Sequence, residues 1–179
     1  MPKKILIGVA VIIIVFLVVV ALQPADFRVT RSTAIAASPE AVFPHVNELK
    51  KWEGWNPWGK IDPAMKLTYE GPASGVGAAY AWVGNSQVGE GRMTVTESRP
   101  NELVRFHLEF VKSMAGTSDA EFTFKPEGNQ TTVTWTMTGK NNFIAKAMCL
   151  FLSMDKMVGG QFELGLANLK TLAEAPAKE

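Results

Sequence analysis

From Met65 to about residue 140, apolar and polar side chains alternate with a period of two, and glycine-bearing turns cut the run into about six short strands. One parity holds Leu67, Tyr69, Tyr80, Trp82, Met93, Val95, Phe106, Leu108, Phe110, Phe122, Phe124, Val133, Trp135 and Met137. The other is mostly polar, with Lys66, Thr68, Arg92, Thr94, Arg105, His107, Glu109, Glu121, Thr123, Thr132, Thr134 and Thr136. Successive side chains of a strand point to opposite faces, so this is an antiparallel meander with one apolar face, and that face needs a cover.

The element long enough to supply the cover is the last one, from about Phe143 to Ala173, where Ile144, Met148, Phe151, Val158, Phe162, Leu166 and Leu169 recur at steps of three and four. Gly159-Gly160 lies in its middle. Each glycine costs about 1 kcal/mol relative to alanine inside a helix, which predicts a kink or a close approach to the sheet there. Ahead of the meander, Phe27 to Ala37 reads as a first strand, with Phe27, Val29 and Ile35 on one side. Ser38-Pro39-Glu40 then supplies a helix start, and Val42, Phe43, Val46 and Leu49 give that helix its apolar stripe. Three tryptophans within Trp52 to Trp58, broken by Gly54 and Pro57, predict a compact aromatic loop or short helix. The fold class is α+β: a curved antiparallel sheet of about seven strands wrapped on a long C-terminal helix.

A different pattern occupies the N-terminus. Ile5 to Leu22 runs for eighteen residues without a polar side chain, roughly 27 Å of helix against a hydrocarbon layer of about 30 Å. Lys3 and Lys4 flank one end, and Gln23-Pro24-Ala25-Asp26 flanks the other. The positive-inside rule then keeps the N-terminus in the cytoplasm and puts the domain outside the inner membrane. A cleaved signal peptide is the rival reading, but its apolar stretch spans only about 7–15 residues, and the sequence before Pro24 offers a poor small-x-small site. The expected organisation is therefore an anchor and short linker over residues 1–26, one domain over 27–175 and a tail over 176–179.

Charge and cysteine content exclude several functions. The chain has 18 Lys+Arg against 17 Asp+Glu. Two of those bases are Lys3 and Lys4, so the exported part carries about −1 and shows no footprint for nucleic acid. Cys149 is the single cysteine, and with only His45 and His107 besides there is no disulfide framework and no zinc spacing.

Several stretches together resemble the START-like, or helix-grip, superfamily. They are Arg31-Ser32 with Ile35 to Phe43, Trp55-Asn56-Pro57-Trp58, Tyr69-Glu70-Gly71-Pro72 with Gly75 to Ala78, Gly89 to Met93, Thr131 to Trp135 and Glu163 to Lys170. Over about residues 27–173 their order and spacing are similar to the membrane-anchored polyketide cyclase/dehydrase-like branch. The resemblance implies a cavity between sheet and helix and does not name a reaction, since such folds host carriers, receptors and cyclases alike.

The candidate lining of that cavity is Trp55, Trp58, Tyr69, Tyr80, Trp82, Met93, Phe106, Phe110, Phe122 and Trp135, facing Met154, Met157 and Phe162 on the helix. The competing reading is that these residues fill a solid core. Arg31 shares parity with Val29 and Ile35, so its guanidinium turns inward to meet either a ligand carboxylate or a carboxylate of the chain. The tryptophan loop is read as lid, plug or membrane-interface patch, with lid or plug favoured by Gly54 and Pro57.

Catalysis finds little support. His107 falls on the outward face, His45 sits beside Pro44 without an orienting partner, and Cys149 lies among Met148, Leu150 and Phe151 as a structural thiol. The expected function is a membrane-tethered, extracytoplasmic binding module for a small hydrophobic or amphipathic molecule, lipid-derived molecules included, with no cofactor and no metal. A cyclase- or hydrolase-type enzyme and a structural envelope protein with a filled core are the alternatives. A reporter fused after Glu179 is expected to be active only outside the cytoplasm, and cytoplasmic activity would reverse the topology.

Overall fold

Seven strands carry the alternation: β1 (Asp26–Ile35), β2 (Lys66–Glu70), β3 (Ala79–Val83), β4 (Glu90–Arg99), β5 (Leu103–Phe110), β6 (Gly116–Glu127) and β7 (Gln130–Lys140). They form one antiparallel sheet in the order β1-β7-β6-β5-β4-β3-β2, a meander whose last strand turns back to pair with the first. This computed structural model describes residues 2–111, 115–151 and 153–176; residues 177–179 of the expected tail lie outside it. The register puts Phe122 opposite Trp135, and Val95 opposite Phe106 next to a bulge before Glu97, so the apolar parity falls on a single concave face.

Helix α2 (Pro39–Asn47) begins as its sequence requires, with Ser38 at the N-cap, proline in the first turn and Val42, Phe43 and Val46 buried. A 3₁₀ turn (Leu49–Gly54) and the one-turn helix α3 (Trp58–Ile61) follow. The indole N–H groups of Trp52 and Trp55 donate to the carbonyls of Val46 and His45 at 2.8 and 2.9 Å, satisfying acceptors at the C-terminal end of α2 while both rings enter the core. The aromatic segment is thus a plug at Trp52 and Trp55.

The expected single helix from Phe143 to Ala173 is two helices, α4 (Phe143–Cys149) and α5 (Met154–Ala173). The reason is capping: Asn142 and Ser153 each accept a hydrogen bond from the backbone N–H three residues on, so each starts its own helix. The glycine pair produces no break. α5 runs through Gly159 and Gly160, and Gly159 is where the Arg31 guanidinium crosses the helix surface. α5 lies along β1 and is pinned at its far end by Lys170, which donates to the Ala34 carbonyl at 2.6 Å, and by Glu174, which accepts from the Ala36 N–H at 2.6 Å.

Helix α1 (Pro2–Leu22) is long and apolar enough to cross a membrane, and nearly all of its side chains are exposed. It is therefore not a core helix of this domain. It touches the remainder at its last turn, where Val20 is buried and Lys146 of α4 donates to the Ala21 carbonyl at 3.3 Å.

The two glycines of α5 make opposite demands. A Cβ at Gly160 meets nothing within 4 Å, whereas one at Gly159 collides with the Arg31 guanidinium. Gly160→Ala should raise stability by about 1 kcal/mol through helix propensity, and Gly159→Ala should lose that gain because Arg31 must move. Equal shifts in the thermal midpoints of the two variants would contradict this account of the helix–sheet seam.

Candidate functional site

The concave face is filled over one half of its length and open over the other. In the filled half the Trp135 ring lies 3.8 Å from that of Phe162 at an angle of 7°, and 4.7 Å from that of Phe122. Trp52 and Trp55 meet this stack edge-on, and Phe106 meets Phe122 in the same way. Toward the start of β1 the inward side chains of the central strands are Met93, Leu108, Phe110 and Met137, and the facing residues of α5 are Met154 and Val158. Between them lies a cavity of about 230 Å³.

Phe27, Trp52, Trp58, Met65, Tyr80, Trp82 and Val88 complete the apolar wall. Asn56, Tyr80 and Ser118 are the polar groups set into it, while Gln87, Thr117, Lys140, Asn141 and Asn142 border it at one end. Most of that border is exposed, so it is the mouth. Among the described lining residues there is no aspartate, glutamate, histidine or cysteine.

Two polar groups give the interior its chemical character. Burial pushes the Tyr80 phenol well above its ordinary range, with the Asn56 amide pulling weakly the other way, so it stays neutral and able to donate. The Trp135 N–H is buried and has no hydrogen-bond partner. A Cβ on Gly165 would sit 3.0 Å from Trp135 Cζ3 and 3.2 Å from Pro57, so the benzo edge is wedged against α5 and Pro57. Nε1 lies on the opposite side of the indole, away from that contact. A buried donor without a partner costs about 1–3 kcal/mol, which a ligand oxygen placed there would recover.

Of the residues expected in the lining, Trp58, Tyr80, Trp82, Met93, Phe110, Trp135, Met154 and Phe162 surround the cavity. Phe122 stacks on Trp135 without lining the cavity, Phe106 meets Phe122 edge-on behind it, and Trp55 belongs to the plug. Tyr69 lies instead in a second cavity of about 450 Å³, where its hydroxyl donates to Glu53 at 2.6 Å; burial first, and then this bond, push its phenol upward. Trp52, Asn56, Met65 and Tyr80 line both cavities and so form the partition. Met157 is half-buried on α5 and lines neither cavity.

Arg31 stands outside the cavity. Its Nη1 and Nη2 donate to Asp155 at 2.8 and 3.0 Å, and its Nε donates to Glu163 at 2.6 Å. Of the two partners the sequence left open, the structure has the chain carboxylate. Asp155, Gly159 and Glu163 follow at steps of four, one helix face, and that spacing is a signal the sequence reading missed. Trp52, Asn56, Phe27, Met137 and Val158 also line the cavity; the first two lie in an aperiodic loop with no parity to read, and the other three share an apolar face with core residues that the sequence does not distinguish from lining. His107 pairs with Asp119 at 2.8 Å on the outer face; His45 has a buried Nδ1 without a partner, and burial lowers its pKa.

Residues 26–174 match the protein family described as polyketide cyclase / dehydrase and lipid transport. No individual curated protein is significantly similar in sequence. Several solved structures share the fold. The di-domain ARO/CYC BexL of the BE-7585A biosynthetic pathway aligns with a TM-score of 0.61 at 14% identity over 88% of this chain and 53% of its own. A norcoclaurine synthase point mutant from Thalictrum flavum, in complex with a transition-state analogue, aligns with a TM-score of 0.61 at 11% identity over 85% and 96% of the two chains. The Aha1 dimer from Colwellia psychrerythraea aligns with a TM-score of 0.56 at 20% identity over 85% and 99%. At these identities the likeness is one of fold.

The Arg31 bridge has a defined pH signature. The hydrogen bond from Arg31 holds the Asp155 carboxyl below its ordinary range. Its contribution is therefore complete above the unfolded aspartate value of about 3.9 and is lost as pH falls through the lower folded value. Arg31→Met should lower the thermal midpoint at neutral pH, and the gap from the parent should narrow as pH falls from about 4 through the lower folded value of Asp155. A gap constant across that range would assign the loss to packing alone.

Proposed function

Because the chain belongs to the polyketide cyclase / dehydrase and lipid transport family, we propose that it binds a small, largely apolar molecule carrying at least one hydrogen-bond acceptor. We place the site in the cavity between α5 and the open half of the sheet. The observation that carries this reading is an otherwise apolar cavity lined by Trp135, whose buried N–H has no partner. A ligand carbonyl, hydroxyl or ether oxygen satisfies that donor, with the neutral Tyr80 hydroxyl and the Asn56 amide as further contacts. Methionines at 65, 93, 137 and 154 give the walls a shape that adapts to irregular chains or rings.

Binding is favoured over turnover because the described lining supplies no carboxylate, imidazole or thiol to move a proton. A buried tyrosine with a raised pKa is a poor base at neutral pH. The proposal includes the tether: α1 spans the membrane, its N-terminal lysines stay in the cytoplasm, and the domain stands outside, where lipid-derived molecules are concentrated.

A solvatochromic naphthyl ketone dye tests the reading on the soluble domain beginning at Asp26. The dye should bind with the blue-shifted emission of a dry site. Trp135→Phe keeps the stack and removes the donor. It should weaken the ketone by about 1 kcal/mol, roughly fivefold, and leave a ketone-free naphthyl analogue unchanged. Failure of either dye to bind the folded domain would refute the binding reading, and equal weakening of both would remove Trp135 as the polar contact.

A further inference from the structure

The cavity mouth and the emergence of α1 share one end of the domain, and the surface there is apolar. On α4 and in the turn that follows it, the side chains of Ile144, Met148 and Phe151 come at steps of four and three and are 65%, 42% and 80% exposed. Phe143 beside them and Val111 after β5 are 49% and 59% exposed. The buried side of α4 is Ala145, which lines the cavity, so one short helix forms part of the mouth with one face and shows bulky apolar groups outward with the other. Bulky apolar groups exposed together at one end of a domain are costly in water and mark an interaction site.

The position of α1 identifies what meets it. Val20 is fully buried and the Ala21 carbonyl accepts from Lys146 of α4, while the Ala25 carbonyl accepts from the Asn141 N–H at 2.7 Å. These contacts hold α4 level with the last turn of α1. The apolar run from Ile5 to Leu22 spans about 27 Å, just short of the hydrocarbon thickness of about 30 Å, so a spanning α1 brings that turn to the boundary between acyl chains and headgroups. The linker from Gln23 to Ala25 reaches no more than about 10 Å and cannot lift this end of the domain clear. Lys140 at the mouth and Lys146 on α4 then lie at headgroup height, where a lysine keeps its stem in the apolar layer and its ammonium among phosphates.

We infer that this end of the domain rests in the leaflet that α1 enters. The outer face of α4 lies in the headgroup–acyl boundary and the mouth opens onto the bilayer, so that an apolar ligand passes between membrane and cavity without crossing water. The inference rests on α1 spanning the membrane and, for ligand passage alone, on the binding reading above.

The full chain reconstituted in phosphatidylcholine–phosphatidylglycerol vesicles tests it. In a Cys149→Ser background, an environment-sensitive label is placed through Ile144→Cys on α4 or Phe151→Cys in the turn after it, and through Asn129→Cys at the opposite end of the sheet. Spin-labelled lipid should quench the labels at 144 and 151 severalfold more than the label at 129. Labels on α4 that are quenched no more than the one at 129 overturn the inference. So does an α4 label shielded from aqueous iodide but untouched by the lipid quencher, since a second copy of the chain would then cover the face. The double variant Ile144→Glu, Phe151→Glu should slow loading of the ketone dye from vesicles severalfold, read by energy transfer from the cavity tryptophans, with the affinity of the folded protein unchanged. Unchanged loading refutes the mouth as an entry route. A chain whose α4 labels are quenched but whose cavity takes no dye removes the binding reading alone and leaves the docked face standing.

Discussion

The stack of Trp135 on Phe162 and Phe122 divides the interior, and the site depends on that division. A sheet of seven strands offers far more apolar area than one twenty-residue helix can cover in contact along its whole length. Two large rings from the central strands and one from α5 close the gap in one half, with the Trp52–Trp55 plug packed against them. In the other half the corresponding positions hold methionines, a leucine and a phenylalanine that reach less far, and the space between layers stays open. Filled core and cavity, which stand as alternatives in the sequence, are the two halves of one face.

The helix is held against the sheet edge by polar contacts rather than by the core alone. Arg31 occupies an inward position of an edge strand, where no apolar partner is available, and spreads its guanidinium over Asp155 and Glu163 across the glycine that leaves room for it. The seam ends at Lys170 and Glu174, which occupy backbone groups at the end of β1 that an exposed edge would leave unpaired. These contacts lie on one side of the cavity and fix where α5 begins, and hence how far Met154 and Val158 stand from the sheet.

At the other end, capping rather than apolar pattern sets the shape of the mouth. A continuous helix from residue 143 to 173 would place one stripe against the sheet throughout. The caps at Asn142 and Ser153 give two helices instead, so α4 can turn its Ala145 side to the cavity and its bulky side outward beside α1. The same break explains why Ile144, Met148 and Phe151 read as core by spacing and are exposed in the structure. Spacing identifies which side chains share a face and is silent on what that face meets.

Much of the architecture was legible in the sequence. The period-two parity from Leu67 to Met137 matched the buried face strand by strand, and the Ser38-Pro39-Glu40 start gave α2, because both signals are local and need no knowledge of distant partners. The apolar run at the N-terminus likewise carries its own meaning. What only the tertiary structure decided was which inward residues touch empty space. Phe106, Phe122, Trp135, Met137 and Phe110 are equivalent by parity, yet the first two pack on the side of Trp135 away from the cavity, Trp135 forms the boundary, and the last two face the cavity. That depends on the level at which α5 crosses the sheet, set by Arg31 with Asp155 and Glu163 and by Gly159 between them, contacts between residues more than a hundred positions apart that no local pattern records.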